Sequence, residues 1–442
     1  MSKLALLGGP KVRRKPFASH PRLGKEERRE VLSVLRSGVL SGFVAAAGDG
    51  FLGGPKVRKL ERLFCDYFGT PYAVAMNSAT SALHAALLAV GIGPGDEVIV
   101  PPYTMSATAS AVLMCGALPV FVDIEEGAFC LDPEKIEARL TRRTKAILVV
   151  HLFGRPARMR QILALAKKHG LQVIEDCAQA PGAKYQGRFA GTLGDVGVFS
   201  FNQHKTITTG EGGVAITANK DLALRLQLVR NHGEAVVAKM KEAAAIPCLG
   251  WNYRMTELEA AVGAVQFQKL DFLNDHRIRL AEYLTRRLTG MPGLELPGVG
   301  KNEEHVYFVY PIRYDAQKAG ISRHIFVKAL VAEGIPFSEG YVRPLYLEPL
   351  YRTKKIFQYS RFPFDSIGQT AAASYQKGSC PVAEQLYDEG LMLTGLCRYP
   401  LSFRDMDDVV AAFQKIYANR VALMDNGAGR VSKEMVAYGR HR

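Results

Sequence analysis

From about residue 70 to 230, short runs of apolar and β-branched residues alternate with stretches of helical spacing. YAVAMN at 72–77, EVIVPPYT at 97–104, LPVFVDI, KAILVVHLFG, LQVIED at 171–176, VGVFSF and GGVAITA read as strands. SALHAALLAVGI at 81–92, ATASAVLMCGA and MRQILALAKKHG read as helices, the last closed by Gly170. The strands lack strict polar alternation, as expected where helices cover both faces of a mostly parallel sheet. This alternation predicts an α/β domain with right-handed crossovers.

From about 252 to 290 the pattern turns helical, and YRMTELEAAVGAVQFQKLDFLNDHRIRLAEYLTRRL predicts one long linking helix. Beyond it, VYFVYPIRY reads as a strand, and RHIFVKALVAEG and DMDDVVAAFQKIY read as helices of a smaller α+β unit. The expected division is an N-terminal arm (1–40), a large domain with its linking helix (41–290), a small α+β domain (291–420) and a loose tail (421–442).

A chain of 442 residues, 48% hydrophobic and 22% charged, suits a globular enzyme with a large core. It has no apolar run of about 18 residues, so no membrane span is expected. The opening MSKLALLGGPKVRRKPF lacks the pattern of a secretion signal, and a cytoplasmic location is the expectation. The seven cysteines form no CxxC pair and read as free thiols, with no metal site. The net charge of +15 favours anionic ligands. The basic residues are scattered, which argues against nucleic acid as a partner.

Ligand sites in open α/β sheets gather at the carboxyl ends of strands, and four such ends carry polar groups. Asn77-Ser78-Ala79-Thr80-Ser81 joins a strand to a helix, and reads either as an ordinary N-cap or as a cup for phosphate. Asp176 ends LQVIED and reads as a structural acid or a partner for a cation. Lys205 follows VGVFS and is either a solvated loop residue or an amine nucleophile in a dry pocket. Gly210-Glu211-Gly212-Gly213 gives a flexible turn before the next strand. A phosphate cup, an Asp and a Ser-x4-Lys in this order meet the needs of a pyridoxal phosphate site.

With these blocks in the same order, the chain resembles the DegT/DnrJ/EryC1/StrS family of pyridoxal-phosphate aminotransferases. The likeness runs from LALLGGPKVR to DMDDVVAAFQKI. It is carried by NSATSALHAALLAVGIGPGDEVIVPPYT, VIEDCAQAPGAKYQGRFAGTLGDVGVFSF, HKTITTGEGGVAIT and LGWNYRMTELEAAVGAVQ. The GEGG variant and the opening LALLGG resemble the cyclitol (scyllo-inosose) and aminohydroxybenzoate branch.

The resemblance implies an aspartate-aminotransferase-type fold and a homodimer with shared active sites. It also implies that Lys205 bonds the cofactor aldehyde, Asp176 holds the pyridine nitrogen and Gln179 meets the ring hydroxyl. Ser200, Ala79 and Thr80 would hold the phosphate, and Asn252 of WNYR would reach the phosphate in the neighbouring subunit. Met105, in PPYTM, stands where many relatives carry a stacking ring; Tyr103 is a second candidate for that role. LMLTGLCRY lacks a histidine found in the cyclitol branch. Lys205 lies five residues after Ser200, so His204 is a supporting residue and does not replace the lysine, as happens in dehydratase relatives.

The implied reaction moves an amino group from glutamate or glutamine to a keto-sugar, nucleotide-linked or phosphorylated, or to a keto-cyclitol. The rival readings are a pyridoxal-phosphate-dependent dehydratase or lyase, and a non-catalytic cofactor-binding regulator.

Overall fold

The structure is a computed structural model that describes residues 2–19, 23–239, 249–365 and 375–425. Fourteen strands fall among them. The large sheet takes β1 (Tyr72–Met76), β2 (Glu97–Val100), β3 (Leu118–Phe121), β4 (Thr144–Val150) and β5 (Gln172–Asp176). A short ribbon follows, made of β6 (Lys184–Tyr185) and β7 (Arg188–Phe189). The sheet is then completed by β8 (Val196–Ser200) and β9 (Gly213–Thr217), in the order β1-β9-β8-β5-β4-β2-β3. Strands β3, β2, β4, β5 and β8 pair in parallel, while β9 runs antiparallel to both neighbours. The carboxyl ends of β5 and β8 and the amino end of β9 therefore meet on one rim.

Burial explains the apolar strands. Every residue of β2, β3, β8 and β9 is buried, since helices cover both faces. The helix Ala79–Ala89 is apolar all round, and eight of its eleven residues are buried. Such a helix has no solvent face and belongs in the core. The helix Met159–His169 ends, as its sequence predicts, on Gly170 in a left-handed conformation, φ 64°.

The later strands are β10 (Leu294–Glu295), β11 (Glu303–Glu304), β12 (Tyr310–Tyr314), β13 (Ser338–Glu339) and β14 (Leu391–Thr394). Strand β11 returns to pair with β6, and the others form an antiparallel sheet β10-β12-β14-β13. The helices Arg323–Ala332 and Phe403–Ala418 close a second core around Phe326, Phe337 and Phe413.

Two expectations need correction. The single linking helix is two helices, Glu257–Gln268 and Leu270–Leu288, which break at Lys269 (φ −94°, ψ 0°). The first starts only at Glu257, where Thr256 and Glu259 form a capping box. Residues 251–254 are extended instead, with Arg254 bridged to Met76 and Asn252 to Asn231. In VYFVYPIRY only Tyr310–Tyr314 is strand, because Tyr307 takes a left-handed φ of 47° and Phe308 leaves the ladder. The six described cysteines are free; Cys248 and the residues from 426 onward lie outside the described residues. No described helix is long and apolar enough to cross a membrane.

Candidate active site

The start of the helix Ala79–Ala89 forms one wall. Ser78 is its N-cap, its Oγ accepting from the Ser81 N–H at 3.0 Å, and the Ser81 hydroxyl donates to Asn77 Oδ1 at 2.7 Å. Ala79 and Thr80 are half-buried at its mouth. Strand β9 begins directly behind. A Cβ on Gly213 would stand 2.6 Å from the Ala79 nitrogen, so only glycine lets the two backbones approach this closely. Ser200 pairs with Gly213 across the sheet, is buried, and accepts from the Asn202 N–H at 3.3 Å. Helix start, β8 end and glycine turn thus form one cradle of small residues and free N–H groups, which suits a phosphate.

Asp176 lies at the end of β5 and is 5% exposed. Its Oδ1 accepts from the Ala178 N–H and its Oδ2 from the Thr108 hydroxyl, each at 3.0 Å. Burial raises its pKa above the ordinary carboxylate value, against the pull of the Ala178 N–H and the Lys205 charge. Lys205 is shifted the other way. Burial lowers its pKa, and Asp176 opposes the shift. Its Nζ lies 5.0 Å from the centre of the Phe308 ring, within cation–π range. Phe308 is held there by two contacts on its own segment: Arg277 donates to the Tyr307 and Phe308 carbonyls at 3.2 Å, and the Val306 N–H donates to the Gly154 carbonyl at 3.0 Å.

Gln179 is buried, with both ends of its amide engaged. Its Oε1 accepts from the Phe153 N–H at 2.7 Å, and its Nε2 donates to the Tyr341 hydroxyl at 2.9 Å. The Tyr341 N–H in turn donates to the Tyr103 hydroxyl at 2.7 Å. Tyr103 is wholly buried beneath Tyr341, its ring edge-on to the Tyr341 ring, so it presents no open face for stacking. Met105 is 56% exposed at the same turn. His204 is exposed. Asn252 is also exposed, its Oδ1 accepting from the Arg254 guanidinium at 2.8 Å.

The structure therefore brings Ala79, Thr80, Asp176, Ser200 and Lys205 to one rim, with Gln179 linked to it through Tyr341. Asn252 faces outward. Three residues of this rim are missing from the sequence reading. Thr108 lies in an ordinary helix turn, and Phe308 and Tyr341 arrive from more than a hundred residues beyond Lys205.

Sheet order and rim are those of the aspartate-aminotransferase type of pyridoxal-phosphate enzyme. The solved structure of DesI in the presence of its TDP-sugar product superimposes with a TM-score of 0.80 at 27% identity, covering 96% of this chain and 99% of that one. Residues 23–414 match the DegT/DnrJ/EryC1/StrS aminotransferase family, and the chain belongs to that family. It is similar to GDP-perosamine synthase of Caulobacter vibrioides, 40% identical over 75% of this chain and 85% of that protein. It is also similar to the spore coat polysaccharide biosynthesis protein SpsC of Bacillus subtilis, 36% identical over 90% of this chain and 96% of that protein. The chain is accordingly a pyridoxal-phosphate-dependent transaminase of the sugar-aminotransferase family.

Proposed function

We propose that this enzyme transfers an amino group from glutamate or glutamine to the keto carbon of a nucleotide-linked or phosphorylated sugar, or of a cyclitol, with pyridoxal phosphate held on the β5/β8 rim. The observation that carries this is the buried Asp176 and the half-buried Lys205, whose charges act on each other, beside a cradle that a single Cβ at Gly213 would fill. The donor set fits the cofactor group by group: free N–H groups and hydroxyls for phosphate, a carboxylate for a pyridinium nitrogen, and an amine for an aldehyde.

When bound, the cofactor supplies an electron sink for the carbanion formed as a proton leaves the amine-bearing carbon. The chain supplies the rest. Asp176 holds a positive charge at the ring nitrogen, with Thr108 fixing the carboxylate. Ala79, Thr80 and Ser200 anchor the phosphate. Lys205, its ammonium form disfavoured by burial, would carry a proton on and off at Nζ. Met105, exposed at the same turn, would line the open side of the ring, and Gln179, through its contact with Tyr341, would fix the wall near the ring hydroxyl.

A homodimer completes the site. The exposed Leu32, Leu35, Val39 and Leu40 give one face of the N-terminal helix and the turn after it an apolar surface that a second copy would cover. Exposed Asn252 reaches the partner's phosphate. The divisions near residues 40, 290 and 420 go with this reading, as does a reducing cytoplasm in which the six thiols stay free.

The test is a donor screen followed by an acceptor panel. Glutamate or glutamine should shift the cofactor absorbance of the purified protein, and keto-sugars or inososes should restore it. No shift with any donor would overturn the reading. For the dimer, Lys205→Ala and Asn252→Asp proteins, each inactive, should regain roughly a quarter of wild-type activity when refolded as an equal mixture. No recovery in a mixture shown to contain heterodimers would remove Asn252 from the shared site.

A further inference from the structure

Tyr341 stands two residues past β13, at the edge of the antiparallel sheet, yet it meets three turns of the large sheet. Its N–H donates to the Tyr103 hydroxyl, in the turn after β2, at 2.7 Å. Its ring stands edge-on to Tyr103 and to Phe153, in the turn after β4, with ring centres 6.0 and 5.2 Å apart. Its hydroxyl accepts from Gln179 Nε2, in the turn after β5, at 2.9 Å. Burial raises the pKa of that hydroxyl, against the Gln179 bond and together with the Asp176 charge, so it stays neutral and its oxygen accepts. The Asp176 interaction places it on the rim.

Gly340 makes this approach possible. It takes a left-handed φ of 61°, and a Cβ there would stand 3.0 Å from the Tyr387 carbonyl oxygen.

The Gln179 amide has one oxygen and two N–H groups to place. The oxygen takes the N–H of the buried Phe153 at 2.7 Å, and one N–H goes to Tyr341. With both contacts made, the amide is held at two points. Its second N–H is left as a donor of fixed direction, and no acceptor among the described residues takes it. Without the Tyr341 hydroxyl, only the Phe153 N–H would hold the amide, and its NH2 group would be free to swing about that bond.

We propose that Tyr341 is a positioning residue for the cofactor: by holding one N–H of Gln179 it aims the other at the ring oxygen. A side chain of the antiparallel sheet thereby tunes a group bound on the large one. The inference rests on the pyridoxal phosphate reading above and on the match of Gln179 to the partner of the ring hydroxyl. A donor aimed at the ring oxygen favours its ionised form, so it lowers the pH at which the bound cofactor gives up its proton.

The test is a pH titration of the cofactor's visible band in the holoenzyme, without substrate. Tyr341→Phe keeps the ring and loses the hydroxyl, and should raise the midpoint by about half a pH unit or more, the scale of one net hydrogen bond. Gln179→Met should raise it at least as far, and the double variant no further than Gln179→Met alone. Tyr103→Phe removes the partner of the Tyr341 N–H and leaves the Gln179 amide held. It should lower the melting temperature and leave the midpoint in place, which separates positioning from a merely structural role. Melting temperature and cofactor content show that each variant is folded. If Tyr341→Phe is not, 3-fluorotyrosine placed at position 341, a weaker acceptor of nearly the same shape, should raise the midpoint by a smaller amount.

The proposal is overturned if the midpoint stays where it is on loss or weakening of the Tyr341 hydroxyl, or on loss of the Gln179 amide. It is equally overturned if the two single effects add, since Tyr341 would then act on the ring directly, or if Tyr103→Phe moves the midpoint as far. Failure of the pyridoxal phosphate reading is distinct: wild type itself would then show no visible band, which would overturn both.

Discussion

Glu175 and Asp176 are neighbours at the end of β5, and their side chains leave the strand on opposite faces. Glu175, wholly buried, is surrounded by donors. Its Oε1 accepts from the Leu193 and Gly194 N–H groups at 2.7 and 2.6 Å. Its Oε2 accepts from the Gly191 N–H and from His151 Nε2, both at 2.9 Å. His151 Nδ1 accepts from the Ala157 N–H at 3.0 Å, which leaves Nε2 as the nitrogen that carries the proton. Burial alone would raise the Glu175 pKa, but the His151 bond and the loop N–H groups bring it below the ordinary value. Asp176, with one backbone donor and one hydroxyl, goes the other way.

The difference separates two uses of a buried carboxylate. On one face, a saturated acid ties the 191–194 loop and the His151 turn to the sheet. On the other, an undersaturated acid keeps capacity for a charge the protein itself does not supply. Lys205 belongs with the second face, since its own ammonium is also disfavoured there. The open side of β5 is therefore built at a cost in local stability, and the closed side offsets it.

The largest expected effect is on the open side. Lys205→Ala should reduce turnover to background while the protein still folds, and the cofactor should no longer be fixed by borohydride. A normal rate would break the contrast, because Lys205 would then be a bystander. Next, Asp176→Asn should slow each half-reaction by a factor on the order of a hundred or more, as expected for loss of a key electrostatic contact. Its melting temperature in the cofactor-free protein should not fall, because the fold disfavours the charge being removed.

Glu175→Gln should do the reverse. An amide turns one accepting oxygen into an NH2 group that faces donors, so the variant should lose about 3 kcal/mol of stability, measured by denaturant or thermal unfolding. Equal stability losses at 175 and 176 would erase the distinction between the two faces.

Acid titration gives a further separation. Because the Glu175 pKa is lower in the fold than in the unfolded chain, its stabilisation is present above the ordinary carboxylate range and is lost as pH falls through its folded value. His84, kept neutral by burial with a pKa of about 4, adds acid lability that begins at higher pH, as the unfolded histidine starts to take up its proton. Asp176 contributes with the opposite sign. Wild type should lose stability on acidification, and Glu175→Gln should show a shallower acid limb. The smallest effect is expected at Met105. Met105→Phe should change cofactor retention several-fold, since an aromatic stack is worth roughly 0.5–1.5 kcal/mol beyond burial. A cofactor-free or unfolded variant would show that this exposed thioether does not face the ring.

Much of this molecule is determined by neighbours along the chain. The strands of the large sheet, the Gly170 stop, the Ser78 cap and the placing of Asp176 and Lys205 at strand ends follow from periodicity and turn chemistry, which act over a few residues. The two-helix break at Lys269 and the loss of strand at Tyr307 did not follow, because tertiary contacts overrode local pattern there. Tertiary structure alone decided which of two adjacent acids is saturated. It also set the Phe308 ring beside Lys205 and joined Tyr341 to Gln179. A hydrogen bond or a field depends on distance in space, and no local pattern in the sequence states which distant segments a sheet rim will collect.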